Sequence, residues 1–127
     1  MSTIAMSIYS KLGCLDEQQG ELDAAAGWHA KAIALAAESP EIFVPAHPNL
    51  AEVVEGAAAL AAARGQATRA AELLGLAHTL HGFCDSASLE VARATAAATD
   101  ALGAAAFEAA YARGQQLTRS DAVALVP

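Results

Sequence analysis

Basic residues are scarce in this chain. Lys and Arg number 7 among 127 residues, against 14 Asp and Glu, for a formal net charge of −7. Lys11, Lys31, Arg64, Arg69, Arg93, Arg113 and Arg119 lie scattered along the sequence. No cluster of cations is available to track a phosphate backbone, which argues against direct contact with nucleic acid. Cysteine is nearly absent too, with Cys14 and Cys84 each in an apolar segment. A disulfide scaffold is excluded, and both are expected to be buried free thiols. The longest unbroken apolar run, Ala57 to Ala63, is far short of the roughly 20 residues that span a bilayer. Met1 to Ser10 has neither a basic leader nor an A-x-A cleavage site, so the expected location is cytoplasmic, without a membrane partner.

What is abundant is alanine, with 36 copies that make up about half of the 55% hydrophobic content. Alanine loses no side-chain rotamer freedom in a helix, so an all-α chain is the first expectation. It also buries little area, at about 25 cal/mol per Å² of apolar surface. The stability of such a fold must come from helices that approach closely.

Breakers and periodicity divide the chain into three helix pairs, at about 3–38, 49–81 and 88–113, with a proline-rich connector at 39–48 and a short terminal helix at 119–125. Ile4, Ile8, Leu12 and Leu15 form an apolar stripe that Gly20 ends. Leu22, Ala25, Ala26, His29, Ile33 and Ala36 continue at three-and-four spacing, so the first two helices must lie antiparallel. Pro40, Pro45 and Pro48 interrupt the pattern. Asn49 followed by Glu52 reads as a capping box. Gly65 and Gly103 mark the turns of the second and third pairs, and Thr118 to Asp121 reads as a helix start. The glycine spacing suggests a repeat near 34 residues with an insertion between the first two units.

Candidate chemistry is sparse. His78, His81 and Cys84 are metal-ligand types at i, i+3 and i+6, with His29, His47 or Cys14 available as a fourth ligand. Gly82 ends the helix before Cys84, however, and no second ligand pair accompanies them. His78 and His81 read instead as helix-terminal histidines on the carbonyl end of the dipole. Asp16 with Glu17, Glu21 with Asp23, and Glu52 with Glu55 read as solvated carboxylates on exposed faces. Ser86 and Ser88 read as caps, and no nucleophile elbow occurs. The expectation is a protein that is not an enzyme and holds no metal or cofactor.

The first pair resembles a tetratricopeptide repeat, carried by Tyr9, Leu12-Gly13, Gly20, Ala25 and Ala32. The second keeps Gly65, Ala70 and Ala77, with Val54 in place of the aromatic and Ala57-Ala58 in place of Leu-Gly. The third keeps little beyond Gly103 and is a divergent, capping unit. From Ala57 to Val126 the chain is similar to the carboxy-terminal tail of large actinobacterial transcriptional regulators, the signal-transducing ATPases that carry LuxR-type or related DNA-binding domains. The likeness lies in Ala61 to Gln66, Arg69 to Gly75, Ala101-Leu102-Gly103 with Phe107, and Gly114 to Thr118 before Ala122 to Leu125. No G-x-x-x-x-G-K-[ST] occurs, so the family's ATPase activity is not carried over.

The resemblance implies a short, right-handed superhelix of about six or seven helices, acting as a sensory or protein–protein interaction module. In such stacks the first helices of successive pairs line a concave groove. Tyr9, Lys11, Asp16, Trp28, Phe43 and Glu55 are the candidate groove residues for a protein or peptide partner. An alternative is a small-molecule effector pocket, closed by Ile42-Phe43-Val44. A divergent third unit leaves the amino-terminal pair uncapped, which predicts a homodimer through the first helices.

Overall fold

A computed structural model describes residues 2–37, 48–81, 88–117 and Asp121. Among them every regular element is an α-helix: α1 (Ser2–Gln18), α2 (Leu22–Ala37), α3 (Pro48–Ala63), α4 (Ala67–His81), α5 (Leu89–Leu102) and α6 (Ala104–Gln115). The all-α expectation is met, with packing consistent with a helical repeat. No helix among the described residues is long and apolar enough to cross a membrane. Residues 38–47 and 118–127 apart from Asp121 lie outside the described part, and with them most of the proline-rich connector, Phe43 and the terminal helix read at 119–125.

The first two pairs turn in the same way. Gly20 and Gly65 have φ of +81° and +76°. The amide of Glu21 donates to the Asp16 carbonyl at 2.8 Å, and that of Gln66 to the Ala61 carbonyl at 2.8 Å. This i to i−5 closure is the Schellman motif, which satisfies carbonyls that the helix end would leave orphaned. The two turns lie side by side. Arg64 donates to Asp23 Oδ1 at 2.9 Å and to the Leu22 carbonyl at 3.3 Å, tying the α3–α4 turn to the start of α2. Being exposed, this tie fixes register more than it adds stability.

The third turn differs from the first two. Gly103 alone separates α5 from α6, at φ 85° and ψ 156°, a conformation open essentially to glycine only. The direction it imposes lays α6 mainly on α4 and only lightly on α5. Two helix-interior glycines make that crossing close. A Cβ on Gly75 would fall 2.0 Å from the Tyr111 carbonyl oxygen, and one on Gly114 would fall 1.9 Å from the Glu72 carbonyl oxygen. Backbone meets backbone there, so any side chain would separate the helices.

Two readings from the sequence need correction. Asn49 is not the N-cap of α3, because the helix already begins at Pro48, whose fixed φ suits the first helical turn. Nor does α3 have a solvated face along most of its length. It packs against α1, α2, α4 and α5. Leu50, Val53, Val54, Ala57, Ala58, Leu60 and Ala61 are all buried. Glu55, read as a solvated carboxylate, is only 5% exposed. The side chain of Glu17 is only 8% exposed and pairs with Arg93 at 3.6 Å. The alanine run at Ala57 to Ala63 thus belongs to a central helix with neighbours around it. Ala104 to Ala106 on α6 are exposed.

Candidate functional site

The two long sides of α1 do different things. Tyr9 and Asp16, two turns apart, face α2. There the Tyr9 and Trp28 rings stack at 5.6 Å between centroids, and the Trp28 indole donates to Asp16 Oδ2 at 2.9 Å. The Lys31 ammonium sits 4.7 Å from the Trp28 ring centroid. This cluster clamps the first pair together, an arrangement in which a stacked pair and a cation over the indole each add a fraction of a kcal/mol to about 1.5 kcal/mol.

The other side of α1 borders a cavity of about 540 Å³, open to solvent, which α1 shares with α3 and the start of α5. Its lining includes Ser10, Lys11, Cys14 and Leu15 of α1, Glu52, Glu55 and Gly56 of α3, and Ser88 and Glu90 at α5. Ser88 caps α5, its hydroxyl accepting from the Val91 amide at 3.4 Å and donating to Glu90 at 3.2 Å. The Ser10 hydroxyl donates to the Glu52 carbonyl at 3.5 Å, joining α1 to α3 across the floor. Of the six residues read as groove candidates, Lys11 and Glu55 therefore meet in one cavity. Tyr9, Asp16 and Trp28 form the separate clamp, and Phe43 lies outside the described residues.

Behind the floor stands His29, projecting from α2. It is 0% exposed, and neither ring nitrogen has a hydrogen-bond partner. Its Cε1 lies 2.7 Å from where a Cβ of Gly13 would be and 2.6 Å from where one of Gly56 would be. The two glycines of α1 and α3 form the slot that admits the ring, and Cys14 Sγ lies 3.2 Å from the same point beside Gly56. Burial lowers the His29 pKa to about 4, so the ring is neutral. At Cys14, burial first, and then the carboxylates of Glu90, Glu17 and Glu52 against the opposing Arg93, push the thiol up to about 11. A neutral thiol beside a weakly basic imidazole does not form the thiolate–imidazolium pair of a cysteine nucleophile.

His78, a metal-ligand type read from the sequence as a helix-terminal histidine, is engaged with α6. Its Nδ1 is in hydrogen-bond contact with the Tyr111 hydroxyl at 2.8 Å and lies 3.4 Å from the Gln115 amide nitrogen, which ties α4 to α6. No group of three His, Cys, Asp or Glu side chains able to hold a metal ion occurs among the described residues. Cys84 lies outside them.

Sequence reading passed over Gly56, Cys14 and Glu90 as parts of the site. A usable signal was present at Gly56. In a chain so rich in alanine, a glycine inside a helix costs about 1 kcal/mol relative to Ala and so points to a close neighbour. No protein-family profile matches the chain, and no curated protein or solved structure matches it.

Proposed function

We propose that the chain is a non-enzymatic helical-repeat module that binds a protein or peptide segment in the groove between α1, α3 and the start of α5. One observation carries the reading: the open cavity of about 540 Å³ is lined by the first helices of successive pairs. It continues onto an uncovered stripe of α1, where Ile8 is 52% and Leu15 54% exposed. Large apolar side chains left together at the rim of a groove are a common mark of an interaction surface. The likeness of Ala57 to Val126 to the tails of actinobacterial regulators supports a sensory or scaffolding role beside a regulator.

The test is a photo-crosslinking amino acid placed at Leu15 and, separately, at Glu108 on the exposed side of α6, with native lysate as the source of partners. A discrete adduct from the Leu15 position alone supports the groove. Equal labelling from both positions, or none from Leu15, counts against it.

A second reading, a small-molecule effector sensor, is favoured by the cavity volume, which falls within the range of about 300–1,000 Å³ typical of ligand pockets. A metabolite screen by thermal shift separates the two. An effector that stabilises the protein raises its melting temperature in a concentration-dependent manner. A screen with no such compound leaves the peptide groove as the better reading.

A further inference from the structure

The charges on the groove are uneven. Among the described residues its lining carries Glu52 and Glu90, besides the buried Glu55, and one cation, Lys11. Glu17, just outside it, is already paired with Arg93. On the floor itself burial first, and then Glu90, Glu17 and Glu52 against the opposing Arg93, keep the Cys14 proton in place. Directly behind that floor, His29 is fully buried with both ring nitrogens unpartnered, and its Cε1–Nε2 edge is directed at Gly56, a lining residue. Held neutral, the imidazole adds no positive charge to the site.

We infer that the occupant of the groove is a peptide segment bearing a lysine or arginine beside an apolar residue. Its cationic head lies between Glu52 and Glu90, and its apolar side chain rests on Leu15. This rests on the groove reading above and adds the chemistry of the partner. An acidic segment would meet Glu52 and Glu90, with Lys11 the one cation among the described residues of the lining, and juxtaposed like charges disfavour a partner strongly. A second copy of the chain presenting this same face would set carboxylate against carboxylate across a two-fold axis. A small free amine would satisfy the carboxylates but leave Ile8 and Leu15 uncovered. Ile8, Lys11 and Leu15 lie at i, i+3 and i+7 on α1, the spacing of a helix face that meets an amphipathic segment.

The experiment is an amide NMR titration with three peptides, all capped at both ends to remove terminal charges. Each is built of Ala, Gln and Leu around one variable position, occupied by Lys, Gln or Glu. The Lys peptide is expected to shift the amides of Ser10, Gly56 and Ser88 and to bind at least about threefold tighter than the Gln peptide, the scale of exposed ion pairs. The Glu peptide is expected to bind more weakly still. The preference for Lys should shrink with added salt. It should vanish in the double variant Glu52→Gln/Glu90→Gln and persist in Asp100→Asn/Glu108→Gln, which removes two charges from α5 and α6 without touching the groove lining. Equal groove shifts from all three peptides would sink the charge assignment and leave the groove reading intact. A preference for Lys that survives Glu52→Gln/Glu90→Gln, or tighter binding of the Glu peptide, would also overturn the assignment. Absence of groove shifts with any peptide would remove both.

Discussion

The His29 imidazole occupies the space into which a side chain on Gly56 would grow, with Cε1 2.6 Å from the position of that missing Cβ. Residue 56 must be small because residue 29 is large. Gly56→Ala is therefore expected to destabilise by about 1–3 kcal/mol through overpacking. His29→Ala should destabilise by about 2–4 kcal/mol through the cavity it leaves. The double variant should cost at least about 1 kcal/mol less than the two single changes together, because the new methyl group occupies part of the vacated slot. Urea unfolding of the four proteins measures the coupling, and strict additivity would contradict the slot.

The same imidazole makes stability depend on pH. Its pKa is about 4 when folded and about 6.5 when free. Between those values the unfolded chain binds a proton that the native chain refuses, so stability falls as pH drops from 6.5 towards 4. The full difference is about 3 kcal/mol, reached near pH 4. Above pH 6.5 the imidazole is neutral in both states and the penalty is absent. His29→Leu should flatten this part of the profile, as read from urea midpoints at pH 7 and near pH 4.5. A wild-type profile with the same slope as the variant would show that the ring titrates normally.

At the crossing of α4 and α6, no side chain can be added on either side. Gly114→Ala would put its methyl 1.9 Å from the Glu72 carbonyl oxygen, and Gly75→Ala would put its methyl 2.0 Å from that of Tyr111. Carbonyl oxygens within helices cannot turn aside, so each change is expected to cost more than about 3 kcal/mol or to detach α6. Near-ultraviolet circular dichroism of Tyr111, or loss of its hydroxyl contact with His78, reports detachment. Gly27→Ala, where a new Cβ meets nothing within 4 Å, should instead stabilise the chain slightly through helix propensity.

Cys14 is expected to be a slow nucleophile although it lines an open cavity. A thiol pushed from 9.0 up to about 11 holds roughly a hundredfold less thiolate at neutral pH. The greater basicity of that thiolate recovers part of the deficit, leaving alkylation roughly tenfold slower than for a free cysteine. Maleimide labelling of a Cys84→Ser variant measures the rate. Labelling at the rate of glutathione would mean that the surrounding carboxylates and burial do not act on the thiol as the geometry implies.

The helices were readable in the sequence wherever a turn glycine followed an apolar stripe, and Gly20, Gly65 and Gly103 all punctuate the chain as expected. His29 was rightly placed on the apolar stripe of α2, since position, more than residue type, decides burial there. The exposure of Glu55 was misread because periodicity assumes that one face of a helix meets water, and α3 has packed neighbours around it. The partition of α1 into a clamp side and a groove side was not legible either. Tyr9 and Lys11 are two positions apart, and which of them faces the groove depends on where α2 and α3 settle. The departure of α6 towards α4 turns on Gly75 and Gly114, whose need for contact with a distant backbone leaves no local pattern.

The one-residue link at Gly103 also bears on how the molecule comes apart. In a regular array each hairpin is an independent opening unit, because its two helices hold each other more firmly than they hold the next hairpin. Here α6 is held by α4, with their backbones in contact, and only loosely by α5. The carboxy-terminal unit of local opening is therefore not the hairpin α5–α6. Hydrogen exchange from the native state should show α4 and α6 losing protection together, with α5 free to open alone and expose the groove wall that carries Glu90.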